Sequence, residues 1–76
     1  MSDVNEIRAL KASLRGAIDT AQTLAAVQEK VAALDDHAEP EAALLDELAR
    51  VSLAHAVASH ALRGLIDTML KRRAAA

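Results

Sequence analysis

The chain has 76 residues, with eleven acidic and nine basic side chains, no cysteine and no aromatic residue. This length allows one domain, residues 1–76, close to the smallest size that folds without disulfides or bound metal. A net charge of −2 excludes the basic excess of a nucleic-acid-binding protein. The three scattered histidines form no recognisable metal site, and we expect no cofactor.

The composition predicts an all-α protein. Hydrophobic residues make up 53% of the chain, and about half of them are alanine, the strongest helix former. Runs of β-branched or aromatic residues, which are typical of strands, are absent. No stretch approaches the roughly 18 apolar residues of a membrane span. The charged beginning of the chain lacks the apolar core of a secretory signal, so we expect a cytoplasmic protein.

Helix one is predicted over about residues 3–35. Ser2 or Asp3 can cap it, and Asp3 with Glu6 has the spacing of a capping box. Apolar residues then recur at steps of three and four, which indicates one stripe facing the second helix. The stripe consists of Val4, Ile7, Leu10, Leu14, Ile18 or Ala17, Ala21, Leu24, Val27, Val31 and Leu34. Gly16 permits a bend or a separate short helix, but one long helix is preferred.

The turn is predicted at residues 36–39 and helix two at about 40–73. Pro40 suits the first turn of a helix and keeps Glu39 out of the helical conformation. Seven apolar residues of helix two, together with His55, follow a heptad that predicts its contact with helix one. These residues are Leu44, Leu48, Val51, His55, Ala58, Leu62, Leu65 and Met69. A turn this short predicts an antiparallel hairpin in which the numbers of opposed residues sum to about 76.

The middle of the hairpin is the predicted partner interface. Uncharged runs at 20–28 and 51–62 lie side by side there, and helix two is also apolar opposite its heptad contact, at Leu53 and Val57. A helix that is apolar all round is normally covered all round. We therefore expect a second copy or a helical partner to complete a four-helix bundle. The predicted interface residues are Leu24, Val27, Leu53, His55, Ala56, Val57 and His60.

No arrangement of residues predicts catalysis. His55 and His60 are five positions apart, so they point in different directions on a helix and do not chelate one ion. His55 is expected to be a hydrogen-bonded core residue or a pH switch at an interface. A two-helix surface also provides no desolvated cleft. The protein is therefore expected not to be an enzyme.

Two further patterns concern assembly. Acidic residues concentrate at the turn and basic residues at the open end, so a self-associating hairpin is expected to pack with its copy head to tail. The segments Leu14–Thr20 and Leu62–Thr68 also repeat the pattern LRGxIDT. Their glycines are interpreted as sites of close helix approach, with a duplicated docking motif as the alternative.

The layout resembles the small α-hairpin co-chaperones of type III secretion needle proteins. The resemblance covers most of the chain and rests on the two antiparallel helices, on the segment from Glu41 to Arg50, EAALLDELAR, and on Ala54, Ala58 and Leu62 after it. It implies a cytoplasmic complex in which the hairpin supports a larger helical-repeat chaperone. The architecture also resembles a small plasmid RNA-binding repressor that dimerises as a four-helix bundle, although the basic, aromatic face of that family is absent.

Two functions are compatible with the sequence. In the first, the protein is an adaptor or co-chaperone that binds an amphipathic helix or a helical repeat of another protein. In the second, it self-associates as an antiparallel four-helix dimer with a structural or regulatory role, RNA binding being the weaker form of this alternative. The additional apolar patch at Leu53 and Val57 favours a different protein as partner.

Overall fold

The computed structural model describes residues 4–75, which form two α-helices, α1 at Val4–Ala32 and α2 at Ala42–Ala75. The helices pack side by side as an antiparallel hairpin, and the Cα trace extends 56 × 19 × 16 Å. The prediction of an all-α hairpin is confirmed. α1 is continuous through Gly16, as preferred from the sequence. The predicted caps Ser2 and Asp3 lie outside the described residues.

The connection between the helices is longer than predicted, because α1 ends at Ala32 instead of at residue 35. The amide of Leu34 bonds to the carbonyl of Val31 at 3.0 Å, which tightens the last turn. The Asp35 carboxylate then accepts a hydrogen bond from the amide of His37 at 3.2 Å, and the Asp35 carbonyl accepts one from Ala38 at 2.9 Å. These local bonds offer the backbone an alternative to the helical bonds.

α2 begins at Ala42, so Pro40 precedes the helix instead of lying in its first turn. The carbonyl of Glu41 accepts the first helical bonds, from the amides of Leu44 and Leu45 at 3.1 and 3.2 Å, which makes Glu41 the N-cap residue. The longer connection gives the chain room to cross the roughly 8–10 Å between packed helix axes. At its other end α2 continues to Ala75, two residues beyond the predicted 73.

The contact between the two helices, which we call the seam, is confirmed on α2. All eight residues of its predicted heptad are half-buried. The register is fixed by Thr20 and His55, which touch across the seam and whose numbers sum to 75. The chain's aliphatic core lies along the seam, from Leu10 on α1 to Leu34 just after it, and from Leu44 to Met69 on α2.

The predicted stripe of α1 is wrong in part. Leu10, Ala17, Leu24, Val27 and Leu34 do face α2, but six other members of the stripe are exposed. These exposed members are Val4, Ile7, Leu14, Ile18, Ala21 and Val31. Small or polar residues, Ser13 and Thr20 among them, are half-buried at the seam in their place.

Candidate protein-interaction surface

Most of the exposed large hydrophobic side chains lie on one side of the hairpin. Ten large hydrophobic side chains among residues 4–75 are exposed, and seven of them share this side, which we call the aliphatic face. Its members are Val4, Ile7, Leu14 and Ile18 from α1 and Leu45, Ile66 and Leu70 from α2. A grouped apolar surface of this kind marks interaction sites in soluble proteins, whereas scattered apolar residues do not.

Helical register explains why these side chains share a side. Several of them directly follow a seam residue: Leu14 follows Ser13 and Ile66 follows Leu65. One residue is a rotation of about 100°, so they point sideways from the seam. In an antiparallel pair, the residues that follow seam positions lie on one side of both helices. The residues that precede seam positions lie on the other side, where Lys30 and Glu47 form an ion pair at 2.9 Å.

The aliphatic face continues along α1 as a second heptad stripe. After Ile18 it runs through Ala21, Ala25, Gln28 and Ala32 at steps of three and four, all of them exposed. Large side chains therefore occupy the half near the open end, and three alanines and one glutamine occupy the half near the turn. We call the part of the stripe up to Ile18 its bulky half and the part after Ile18 its flat half.

The two helices also form a shallow groove at the open end of this side. Ile66 and Leu70 of the aliphatic face line it together with Leu10, Met69 and Arg73, and its volume is about 300 Å³. The lining is aliphatic except for Arg73, whose long stem can lie along apolar surface while its charge stays in water. The groove is suited to an apolar side chain of a partner helix.

The hairpin alone buries very little. Among residues 4–75 Val27 is the only buried hydrophobic side chain, at 2% exposure. The accessible surface is 6180 Å², whereas a compact monomer of 8.0 kDa exposes about 4,450 Å². The hairpin therefore exposes more surface than a compact monomer of its mass.

The residues of the sequence-predicted interface do not lie together. Leu24, Val27 and His55 belong to the seam inside the hairpin. Leu53 and Val57 are 66% and 60% exposed on the outer surface of α2. Ala56 and His60 are also exposed, and they lie one turn apart on α2. Ala56 lies on the same side as the aliphatic face.

His55 is held by hydroxyl groups on both ring nitrogens. Its Nδ1 lies 3.0 Å from Thr20 Oγ1, and its Nε2 lies 3.4 Å from Ser59 Oγ. Thr20 donates to the carbonyl of Gly16 at 2.8 Å, so its oxygen remains free to accept a hydrogen bond from Nδ1–H. This satisfies the half-buried polar groups in the middle of the seam. The alternative role of His55 as a pH switch stays a prediction.

Ion pairs leave the two ends of the hairpin with opposite excess charge. Both acids of α1 and α2 nearest the open end are paired, Glu6 with Arg72 and Asp67 with Arg63. The bases that remain there are Arg8, Lys11, Arg15, Lys71 and Arg73. Residues 31–49 around the turn contain six acids and no lysine or arginine. The hairpin therefore carries a charge dipole along its length.

The glycines of the repeated LRGxIDT segments do not serve close packing within the hairpin. A Cβ atom placed on Gly16 or Gly64 meets nothing within 4 Å, so the predicted close approach is wrong for the two helices of one chain. The repeat does share one local feature, because Thr20 and Thr68 each bond to the carbonyl of the glycine four residues earlier. Only Thr20 uses this arrangement to reach α2.

The aliphatic face was missed by the sequence prediction, although a signal for it was present. The apolar residues of α1 were assigned to one stripe, but they form two heptads displaced by one position, one through Leu10 and Ala17 and the other through Leu14 and Ile18. The choice between Ile18 and Ala17 at the seam was the visible sign of this ambiguity. The contact partners in α2 are needed to separate the two stripes.

No other kind of site is found in the part of the chain that the structure describes. Residues 4–75 contain no group of three or more His, Asp or Glu side chains able to hold a metal ion. Neither α1 nor α2 combines the length and apolarity needed to cross a membrane. No protein-family model, curated protein or solved structure matches the chain.

Proposed function

We propose that the protein is a non-enzymatic interaction module whose aliphatic face docks on helices of another protein chain in the cytoplasm. The observation that carries this proposal is the collection of seven exposed large aliphatic side chains on one side of the hairpin. Burial of a fully exposed side chain of this kind gains about 1.5–3 kcal/mol, and these seven are still 36–62% exposed, so covering each of them gains roughly a third to two thirds of that amount. A helical partner that covers the face therefore gains free energy by removing this apolar surface from water.

The arrangement of α1 also supports this function. Between residue 13 and its midpoint, α1 turns Ser13 and Thr20 toward α2, while its larger Leu14 and Ile18 point outward. A helix that only had to pack within its own hairpin would bury the larger pair. The exposed pair is explained if both sides of α1 are covered in the working assembly.

An adaptor or co-chaperone role, implied by the resemblance to the needle-protein co-chaperones, is one form of this proposal. In that form the aliphatic face lies against a helical-repeat partner. A self-assembled bundle is the other form. Both forms use the same face, so the first test concerns the face itself.

The test is site-specific photo-crosslinking in the cells that normally make the protein. A photoreactive residue at position 18 lies on the aliphatic face, and the matched control at position 57 lies on the exposed outer surface of α2. We expect protein adducts from position 18 and few from position 57. Absence of adducts from position 18, or equal yields from both positions, would contradict the proposed function.

A further inference from the structure

We propose that the occupant of the aliphatic face is a second copy of this chain, packed head to tail so that α1 lies on α1 and α2 lies on α2. This inference rests on the proposed function and names its partner. The resulting assembly is a four-helix bundle with a two-fold axis perpendicular to its long axis. Three properties of the face support this arrangement: its shape, its charge and its size.

Large residues of α1 in one copy match small residues of α1 in the other. A two-fold axis through Ile18 opposes residues whose numbers sum to 36, so it places Val4 opposite Ala32 of the second copy and Leu14 opposite Gln22, next to Ala21. The bulky half of the stripe, near the open end, then lies on the flat half of the other copy. Such alternation of large and small side chains is what close interdigitation of facing helices requires.

α2 gives the same axis independently. If the two-fold axis passes between residues 57 and 58, Leu45 lies opposite Leu70 of the second copy and Ala49 lies opposite Ile66. The seam register places residue 57 at the height of Ile18, because the numbers of opposed residues sum to 75. The axes required by the two helices therefore agree to within half a residue, about 0.75 Å along the helix.

The second argument is charge. Head-to-tail packing brings the acidic turn of each copy to the basic open end of the other, and it places Glu29 within one residue of the height of Arg8. Head-to-head packing would instead place the bases of both open ends together, including Lys11, Arg63 and Arg73. Like charges at close range disfavour that orientation and opposite charges favour the first.

The third argument is area. A side of the hairpin measures about 56 by 19 Å across its Cα atoms, more than the roughly 800 Å² that each partner buries in a stable complex. A two-fold dimer uses the same face twice, so every apolar residue of the face is covered in both copies. No further partner is needed to close this side of the hairpin.

The test uses the purified full chain. It contains no cysteine, so a single introduced cysteine forms a disulfide only with the same residue of another copy. We expect a dimer by sedimentation equilibrium and a disulfide between two copies of Ile18→Cys, because residue 18 lies on the two-fold axis. The matched control Val57→Cys should cross-link at least about tenfold more slowly, since its side chain points away from the interface. Helicity is followed by circular dichroism to confirm that each variant is folded.

The relative orientation of the two copies is tested with a mixture of two cysteine variants. Ile18→Cys combined with Ala56→Cys would form the mixed disulfide in a head-to-head dimer, where α1 faces α2 of the other copy. A dominant mixed product, or a monomer at every concentration, would overturn the inference. A monomer that still gives photo-adducts to a different protein in cells would leave the proposed function standing, whereas loss of both signals would remove it as well.

Discussion

Thr20 Oγ1 lies 3.0 Å from Nδ1 of His55 and joins the midpoints of the two helices. We predict that Thr20→Val lowers the free energy of unfolding by about 1 kcal/mol, because it leaves the half-buried ring nitrogen without its partner. Replacing both groups together, Thr20→Val with His55→Leu, should be nearly neutral or stabilising, since no polar group then remains unpaired. Urea unfolding of the single and double variants at one fixed protein concentration measures this coupling. Equal losses in the single and the double variant would contradict the predicted bond.

Val27 provides the test of the seam, because it is buried to 2% exposure. Val27→Ala should cost about 1–3 kcal/mol through lost apolar burial and the cavity that remains. The matched control is Val57→Ala, whose side chain is 60% exposed and which should change the free energy of unfolding by less than about 0.5 kcal/mol. Thermal unfolding followed by circular dichroism compares the two variants. A larger effect at Val57 would reverse the assignment of inner and outer faces.

Gly16 and Gly64 should be replaceable by alanine with a gain in stability. Both lie inside helices, and a Cβ atom at either position meets nothing within 4 Å. Each substitution should therefore raise the free energy of unfolding by about 0.5–1 kcal/mol, because glycine loses more backbone freedom on folding. The midpoint of thermal unfolding is the measurement. A loss of stability at either position would indicate that another helix approaches it closely in the assembly.

The ion pair between Glu6 and Arg72 should hold the open end of the hairpin together. The Glu6 side chain is only 19% exposed, so its loss should matter more than loss of the exposed Lys30–Glu47 pair, which is worth at most about 1 kcal/mol. We expect Glu6→Gln to accelerate hydrogen exchange of the amides in the last turn of α2. Lys30→Gln is the control and should leave those amides unchanged. Equal protection in both variants would show that the pair contributes little.

The fold was predictable where the pattern was unambiguous. The heptad of α2 has an apolar residue at every seam position from Leu44 to Met69 except His55, and all eight residues lie at the seam in the structure. The acidic stretch before Pro40 located the turn, but not its ends. There, the hydrogen bonds of Asp35 to His37 and Ala38 stop α1 early, and such local competition is not visible in periodicity.

The interaction surface was harder to predict because α1 is apolar over more than half of its circumference. Sequence spacing cannot decide whether Ala17 or Ile18 faces α2, because each of them continues a regular apolar heptad along α1. The decision depends on the partner surface, where His55 and Ala58 leave space for small residues such as Thr20 and Ala17. Once α2 is in place, the larger Leu14 and Ile18 are left outside.

The most direct test of the account is sedimentation equilibrium of the wild-type chain beside Ile18→Asp and Val57→Asp, with helicity measured on the same samples. An aspartate at position 18 buries a charge twice at the two-fold axis and should weaken dimerisation by at least about 100-fold. We predict that the wild-type chain is a dimer, that Ile18→Asp is a monomer and that Val57→Asp is an unchanged dimer. A dimer that survives Ile18→Asp but dissociates with Val57→Asp would contradict it and move the interface to the outer surface of α2.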